Sequence, residues 1–221
     1  YFNLVILVPI IILDALNWDY NTIWHGCILR SNNGITHMKD AWTGEFQDQV
    51  FNAALCYFLL DTLWMLISPK CVRSPGTILV HHLACMVYLY LVYVREEFFW
   101  FMGACLSVEV NTWFLIARRV VNKQGIPAWK LDLPLGFSLQ IKFISICFYA
   151  TWITLRCVLF PYLLHEVYSS WVENPQDTQL LVKLSMHSLF TFLNLKWTYD
   201  LCVSKLNYWR KVGGRSVDKG L

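Results

Sequence analysis

Six mostly apolar runs divide this chain: roughly 1–16, 49–67, 77–95, 98–117, 137–164 and 180–203. A helix needs about 20 consecutive apolar residues to cross the hydrocarbon core of a bilayer. Each run is therefore expected to be a transmembrane helix, and the chain an all-α, polytopic bundle of about six spans. The first run is incomplete. The chain opens at Tyr1 inside it, with neither a basic leader nor a small-residue cleavage site, so it is not a signal peptide. A truncated N-terminus, with an upstream segment lost, is the expectation. Charged residues make up only 15% of the chain against 57% hydrophobic, where soluble domains carry about 25% charge. That excludes a soluble globule. With no linker or internal repeat, residues 1–204 are expected to form one transmembrane domain, followed by a basic tail over 205–221.

The connections 17–48, 68–76, 118–136 and 165–179 are polar or broken by Pro69, Pro75-Gly76, Gly125-Ile126-Pro127 and Pro134. Arg95-Glu96-Glu97 is a tight turn, making the third and fourth spans antiparallel neighbours. Basic residues orient the bundle. Lys70, Arg73, Arg118, Arg119, Lys123, Lys130, Lys205, Arg210, Lys211, Arg215 and Lys219 fall on one side. Arg30, Lys39, Arg95 and Lys183 fall on the other. The first side is expected to be cytosolic, with the C-terminal tail. The net charge of +3 is small, and no nucleic-acid partner is expected. Six of the eight cysteines lie in the spans, and no Cys-x-x-Cys occurs. That removes the simplest zinc and redox motifs.

Ionisable residues inside a bilayer are costly and tend to be paired or functional. Counted along the spans, Asp61, His81, His82, Glu109, Asn111, Lys142, Lys196 and Asp200 all fall within about 12 Å of the cytosolic side. Asp14 and Arg156 lie nearer the lumen. Two readings stand: a cytosol-facing polar cavity, or hydrogen bonds that hold helices together. Lys142 and Asp200 are near enough to the interface to snorkel.

The adjacent pair His81-His82 is the sharpest local feature. Neighbours on a helix point about 100° apart, so one ring can enter a cavity while the other bonds a neighbouring helix. A neutral imidazole suits a general base or a hydrogen-bonding group. A metal site needs further ligands. His25, His37 and His165 are expected in lumenal loops and His187 high in its span, so no metal or other cofactor is expected. Asn111 and Arg118, seven apart, share a helical face, with Glu109 rotated away from Asn111. In the fifth span Arg156 precedes Phe160-Pro161, which predicts a kinked lumenal half with an inward cation. Asn194 and Trp197 are adjacent on one face of the last run.

In this order, Tyr57 to Asp61, Leu79-Val80-His81-His82-Leu83, Glu109-Val110-Asn111 to Arg118, Arg156 with Pro161, and Leu193-Asn194-Leu195-Lys196-Trp197 resemble the TLC-domain family of endoplasmic-reticulum and related membrane proteins. The similarity spans nearly the whole chain, without the family's usual extra N-terminal helix. The family includes ceramide synthases, where the resemblance implies that the histidine pair serves acyl transfer from acyl-CoA to a sphingoid base. Those enzymes carry His-Asp-x-x-Asp on the following helix, and this chain has Glu109, Asn111 and Arg118 there instead. It therefore looks like the non-synthase branch, implicated in lipid sensing, transport, membrane composition or export from the endoplasmic reticulum.

Three functions follow as expectations. The first is lipid handling in a cytosol-facing cavity lined by Asp61, His81, His82, Glu109, Asn111, Arg118, Arg156, Asn194, Lys196 and Trp197. Its ligand would be a membrane lipid: a sphingolipid, acyl-CoA or phospholipid. The second is an acyl-CoA-dependent N-acyltransferase with His81 and His82 as catalytic residues, which the altered motif disfavours. The third is a trafficking or assembly factor without chemistry. An endomembrane location, the endoplasmic reticulum first, is expected.

Overall fold

A computed structural model describes residues 2–28, 37–71, 74–124 and 139–217. Arg30, Arg73, the residues from Gly125 to Lys130, Pro134 and Lys219 lie outside them. The described residues form helices joined by short turns, with one isolated antiparallel bridge between Trp18 and Trp42. The chain is an all-α, polytopic membrane protein. Four helical stretches are long and apolar enough to span a bilayer: Gln47–Ile67, Pro75–Tyr93, Phe99–Val120 and Ile141–Glu173. Phe2–Leu16 is apolar but shorter.

The first unit covers Tyr1–Leu155. In it α1 (Phe2–Leu16) packs on α3 (Gln47–Ile67) and on α6 (Val108–Gln124). The α3 helix packs on α4 (Pro75–Tyr93), which also meets α5 (Phe99–Leu106), and α6 packs on α7 (Leu139–Thr151). The α3 helix explains the membrane assignment in miniature. It is apolar on both sides, burying Val50, Ala54, Tyr57 and Phe58 while Leu59, Leu60, Leu63 and Leu66 remain exposed. A helix that is hydrophobic all round belongs in a bilayer or a large core. Pro75 opens α4 at its first turn, where its missing N–H costs nothing. The expected turn at Arg95 is present, with a 3-10 turn over Glu96–Phe98 leading directly into α5.

The segment after α1 folds back on that helix. A short helical turn, α2 (Tyr20–Thr22), is capped by Asp19, whose carboxylate the Thr22 hydroxyl holds below the usual range. Asn17 is fully buried. Its amide donates to Leu13 O at 3.0 Å, while its Oδ1 accepts from the Phe46 amide at 2.7 Å. Backbone bonds from Asp19 to Ala41 (2.8 Å) and from Thr43 to Asn17 (2.8 Å) complete the strap. They seat Trp42 edge-on to Trp18, with ring centroids 4.9 Å apart.

The second unit, Arg156–Leu221, contains α8 (Phe160–Glu173) packed on α9 (Thr178–Val217). Two boundaries differ from expectation. Residues 165–173, expected as part of a polar connection, are helical. Phe160, Leu163 and Val167 repeat at helical spacing and are buried, so the apolar face carries the helix past His165. Only a turn at Asn174–Asp177 separates α8 from α9, and the Asp177 carboxylate caps α9 by accepting from the Gln179 and Leu180 amides. At the other end α9 continues through Val217, well past residue 203. Before α8, Trp152–Leu159 is π-helical. Pro161 cannot donate a backbone hydrogen bond, and a π-helical turn is one way a helix accommodates the gap.

Candidate functional site

The side chain of His82 is buried, 5% exposed, and is held from α3. Its Nε2 lies 3.6 Å from Asp61 Oδ2, and its Nδ1 lies 3.4 Å from the Thr62 hydroxyl. The other Asp61 oxygen accepts from the Asn3 amide of α1 at 2.8 Å. A carboxylate beside Nε2 favours the proton there, and the Thr62 hydroxyl then donates to Nδ1. Rings of Phe58 (5.4 Å), Tyr57 (6.3 Å) and His81 (5.8 Å) surround the imidazole. Helix α1 is fixed in this register by Trp113, whose indole N–H donates to Leu4 O at 3.0 Å.

His81 occupies a different environment. It is half-buried and faces Cys85 one turn along α4, with the sulfur 3.7 Å from both ring nitrogens. Glu109 is 7% exposed and stands within electrostatic reach of Tyr57 and Cys85. Asp61 also acts on Tyr57. The structure thus gathers Asn3, Tyr57, Asp61, Thr62, His81, His82, Cys85 and Glu109 from α1, α3, α4 and α6. Three of them, Asn3, Thr62 and Cys85, did not stand out in the sequence. A lone amide at the start of an apolar run was the available signal for Asn3, and adjacence to Asp61 the signal for Thr62.

Asn111 and Arg118 do share a face of α6, and it is turned to α7. Asn111 is fully buried and donates to Phe148 O (3.1 Å) and to Thr151 Oγ1 (3.0 Å). Those acceptors sit where α7 gives way to π-helical geometry, so the amide satisfies a carbonyl beside a change of ladder. The Arg118 guanidinium lies 5.2 Å from the Phe148 and Tyr149 ring centroids, in cation–π contact with both.

The second unit holds its own cluster. Arg156 is 8% exposed and donates from Nη1 to Asn194 Oδ1 at 2.6 Å, with Trp197 5.6 Å beneath its guanidinium. Lys196, named in the sequence beside them, is exposed and pairs with Asp200 at 2.9 Å. An exposed pair of this kind contributes little. Lys183, one of the cations on the side expected to be lumenal, is buried within α9, 1% exposed. His187 is fully buried, donating from Nε2 to Phe160 O at 3.0 Å and stacking on the Phe160 ring. Lys183, His187, Thr191, Asn194 and Thr198 follow at steps of four, four, three and four, one face of a helix. That spacing is present in the sequence itself. Among the described residues, no three of His, Cys, Asp and Glu are grouped closely enough to hold a metal ion.

A helical chain whose membrane-length stretches carry histidine, carboxylate and amide groups is a multi-pass integral membrane protein. The family model for the TLC domain matches residues 4–203, and the chain belongs to the TLC-domain family. No curated protein and no solved structure matches it significantly.

Proposed function

We propose that this protein binds or handles a membrane lipid at the polar cluster around His81 and His82. What supports the reading most is the unequal environment of the two imidazoles. His82 has both ring nitrogens engaged by Asp61 and Thr62, which fixes its orientation. His81 is half-buried beside it and is the ring that meets the lipid's polar group. Asp61 and Glu109 add buried acceptors for that group's donors. The apolar spans around the cluster suit the hydrocarbon part of the same molecule. Membership of the TLC-domain family supports a lipid-related role. Arg118 and the Arg156–Asn194–Trp197 group hold helices, each within its own unit. The protein resides in the endoplasmic reticulum or a related endomembrane. Its C-terminal basic segment, with Lys205, Arg210, Lys211 and Arg215, is on the cytosolic side, as the bias of positive charge implies.

Lipid profiles of cells lacking the protein, with add-back of wild type, His81→Ala or Asp61→Asn, test this reading. Wild type restores the profile and both variants fail. Full restoration by both variants rejects it.

One observation favours a second reading, in which a lipid amine is acylated. A carboxylate-held histidine next to a half-buried one is a workable general-base arrangement. His81 would take a proton as the amine attacks the thioester carbonyl of acyl-CoA. The amide bond then forms, the carbon–sulfur bond breaks, and the proton passes to the departing thiolate. Purified protein in liposomes with labelled acyl-CoA and sphingoid base would yield labelled amide. No turnover at any chain length discards this reading and leaves the first intact.

A further inference from the structure

We propose that Cys85 and His81 form a nucleophile–base pair in the middle of the α4 span. The pair captures an apolar α,β-unsaturated carbonyl compound, the class of electrophile that lipid oxidation leaves inside a bilayer. The two residues are one turn apart on α4, and the Cys85 sulfur lies 3.7 Å from both His81 ring nitrogens. In either neutral tautomer one of those nitrogens carries no proton. The thiol therefore has a base within reach whichever way the ring is protonated. A thiol becomes a strong nucleophile when an adjacent base takes its proton, and a cysteine beside a histidine is one arrangement that does this.

Val80, Leu83, Val87 and Tyr90 are exposed at steps of three, four and three, the outer face of α4. His81, Cys85, Tyr88 and Val92 follow at steps of four, three and four on the inner face. Tyr88 and Val92 are buried there, at 5% and 1% exposed. His81 and Cys85 on the same face are only half-buried, so accessible space remains beside them. Cys85 lies ten residues from Pro75 and eight from Tyr93, the two ends of α4, about 15 and 12 Å of helix. That is the middle of a hydrocarbon core about 30 Å thick. An apolar electrophile concentrates at that depth, and a charged one does not.

The step balances with no further reactant. As the S–H proton moves to His81, the sulfur bonds to the β-carbon of the conjugated double bond. The π electrons shift toward the carbonyl and give an enolate. The imidazolium then returns the proton to the α-carbon, and the product is a thioether with the carbonyl intact. No leaving group departs, and no oxidant or reductant is used. His82 does not compete as the base, since Asp61 and Thr62 engage both of its nitrogens. Capture at Cys85 does not require the lipid binding proposed above, and Cys85→Ala leaves His81, His82 and Asp61 in place.

The test uses the whole chain in lipid nanodiscs, a long-chain trans-2-enal bearing a terminal alkyne, and peptide mass spectrometry after borohydride reduction. The saturated aldehyde of equal length is the control. Cys56 and Cys202 are more exposed than Cys85, so a reaction governed by access alone labels them first. The expected result is the reverse. The Cys85 thioether forms at least tenfold faster than either of the others, and not with the saturated aldehyde. His81→Gln, in its folded form, slows labelling of Cys85 at least tenfold and leaves Cys56 and Cys202 unchanged. If that variant does not fold, the order of labelling in the wild type decides alone. Cys85 labelled no faster than Cys56 and Cys202, or at an unchanged rate in folded His81→Gln, overturns the proposal.

Discussion

His82 Nε2 and Asp61 Oδ2 stand 3.6 Å apart across the α3–α4 contact, while Asn3 holds the opposite carboxylate oxygen from α1. Three helices thus converge on one carboxylate. Asp61→Leu leaves the His82 ring and the Asn3 amide without their partner. It should cost about 1–2 kcal/mol, the scale of polar contacts between membrane helices. A thermal melt in detergent reads this as a modest loss, and Asn3→Leu combined with it should add less than it costs alone. Full additivity would mean that the two residues are not coupled through Asp61.

Asn111 joins α6 to α7 by two hydrogen bonds from one buried amide. Asn111→Leu should lower the melting temperature, by about 1–2 kcal/mol in stability. The amount of bound lipid per folded protein should stay unchanged. A variant as stable as the wild type would show that the amide is dispensable at this junction.

Arg156 meets a neutral acceptor, Asn194, and the face of Trp197. A planar guanidinium suits both contacts, and an ammonium does not reproduce them. Arg156→Lys should therefore destabilise nearly as much as Arg156→Met, as measured by thermal unfolding. Wild-type stability in Arg156→Lys would reduce the requirement to charge alone.

The main runs were legible because apolar length decides them, and four of them return as membrane-length helical stretches: Gln47–Ile67, Pro75–Tyr93, Phe99–Val120 and Ile141–Glu173. His81-His82, Glu109 and the inward Arg156 were visible because ionisable groups are rare in such runs. Which groups they meet was not visible. Asn3 reaches Asp61 from a helix distant in sequence, and Asn111 and Arg118 both turn to α7, a choice that helical spacing leaves open. The helical 165–173 segment was hidden by its polar outward residues, though Leu163 and Val167 carry the inner face. The seat of Trp42 on Gly103 leaves no periodic trace, since it depends on a strap closing over a single missing side chain.

Gly103→Ala should force the Trp42 ring from its place, and Trp42→Ala should relieve the clash. A cycle of the two substitutions, followed by thermal unfolding, is expected to show the double variant more stable than the sum of the single losses predicts, with coupling of about 1 kcal/mol or more. Simple additivity would remove Trp42 from the space over Gly103.

The central claim is that the His81–His82 cluster holds a lipid's polar group. Mass spectrometry of lipid that stays with the protein through extraction and purification tests it most directly. One lipid class is expected to be enriched over the bulk extract in the wild type and lost in His81→Ala and in Asp61→Asn at equal folded yield. Equal enrichment of that class in all three proteins would contradict it.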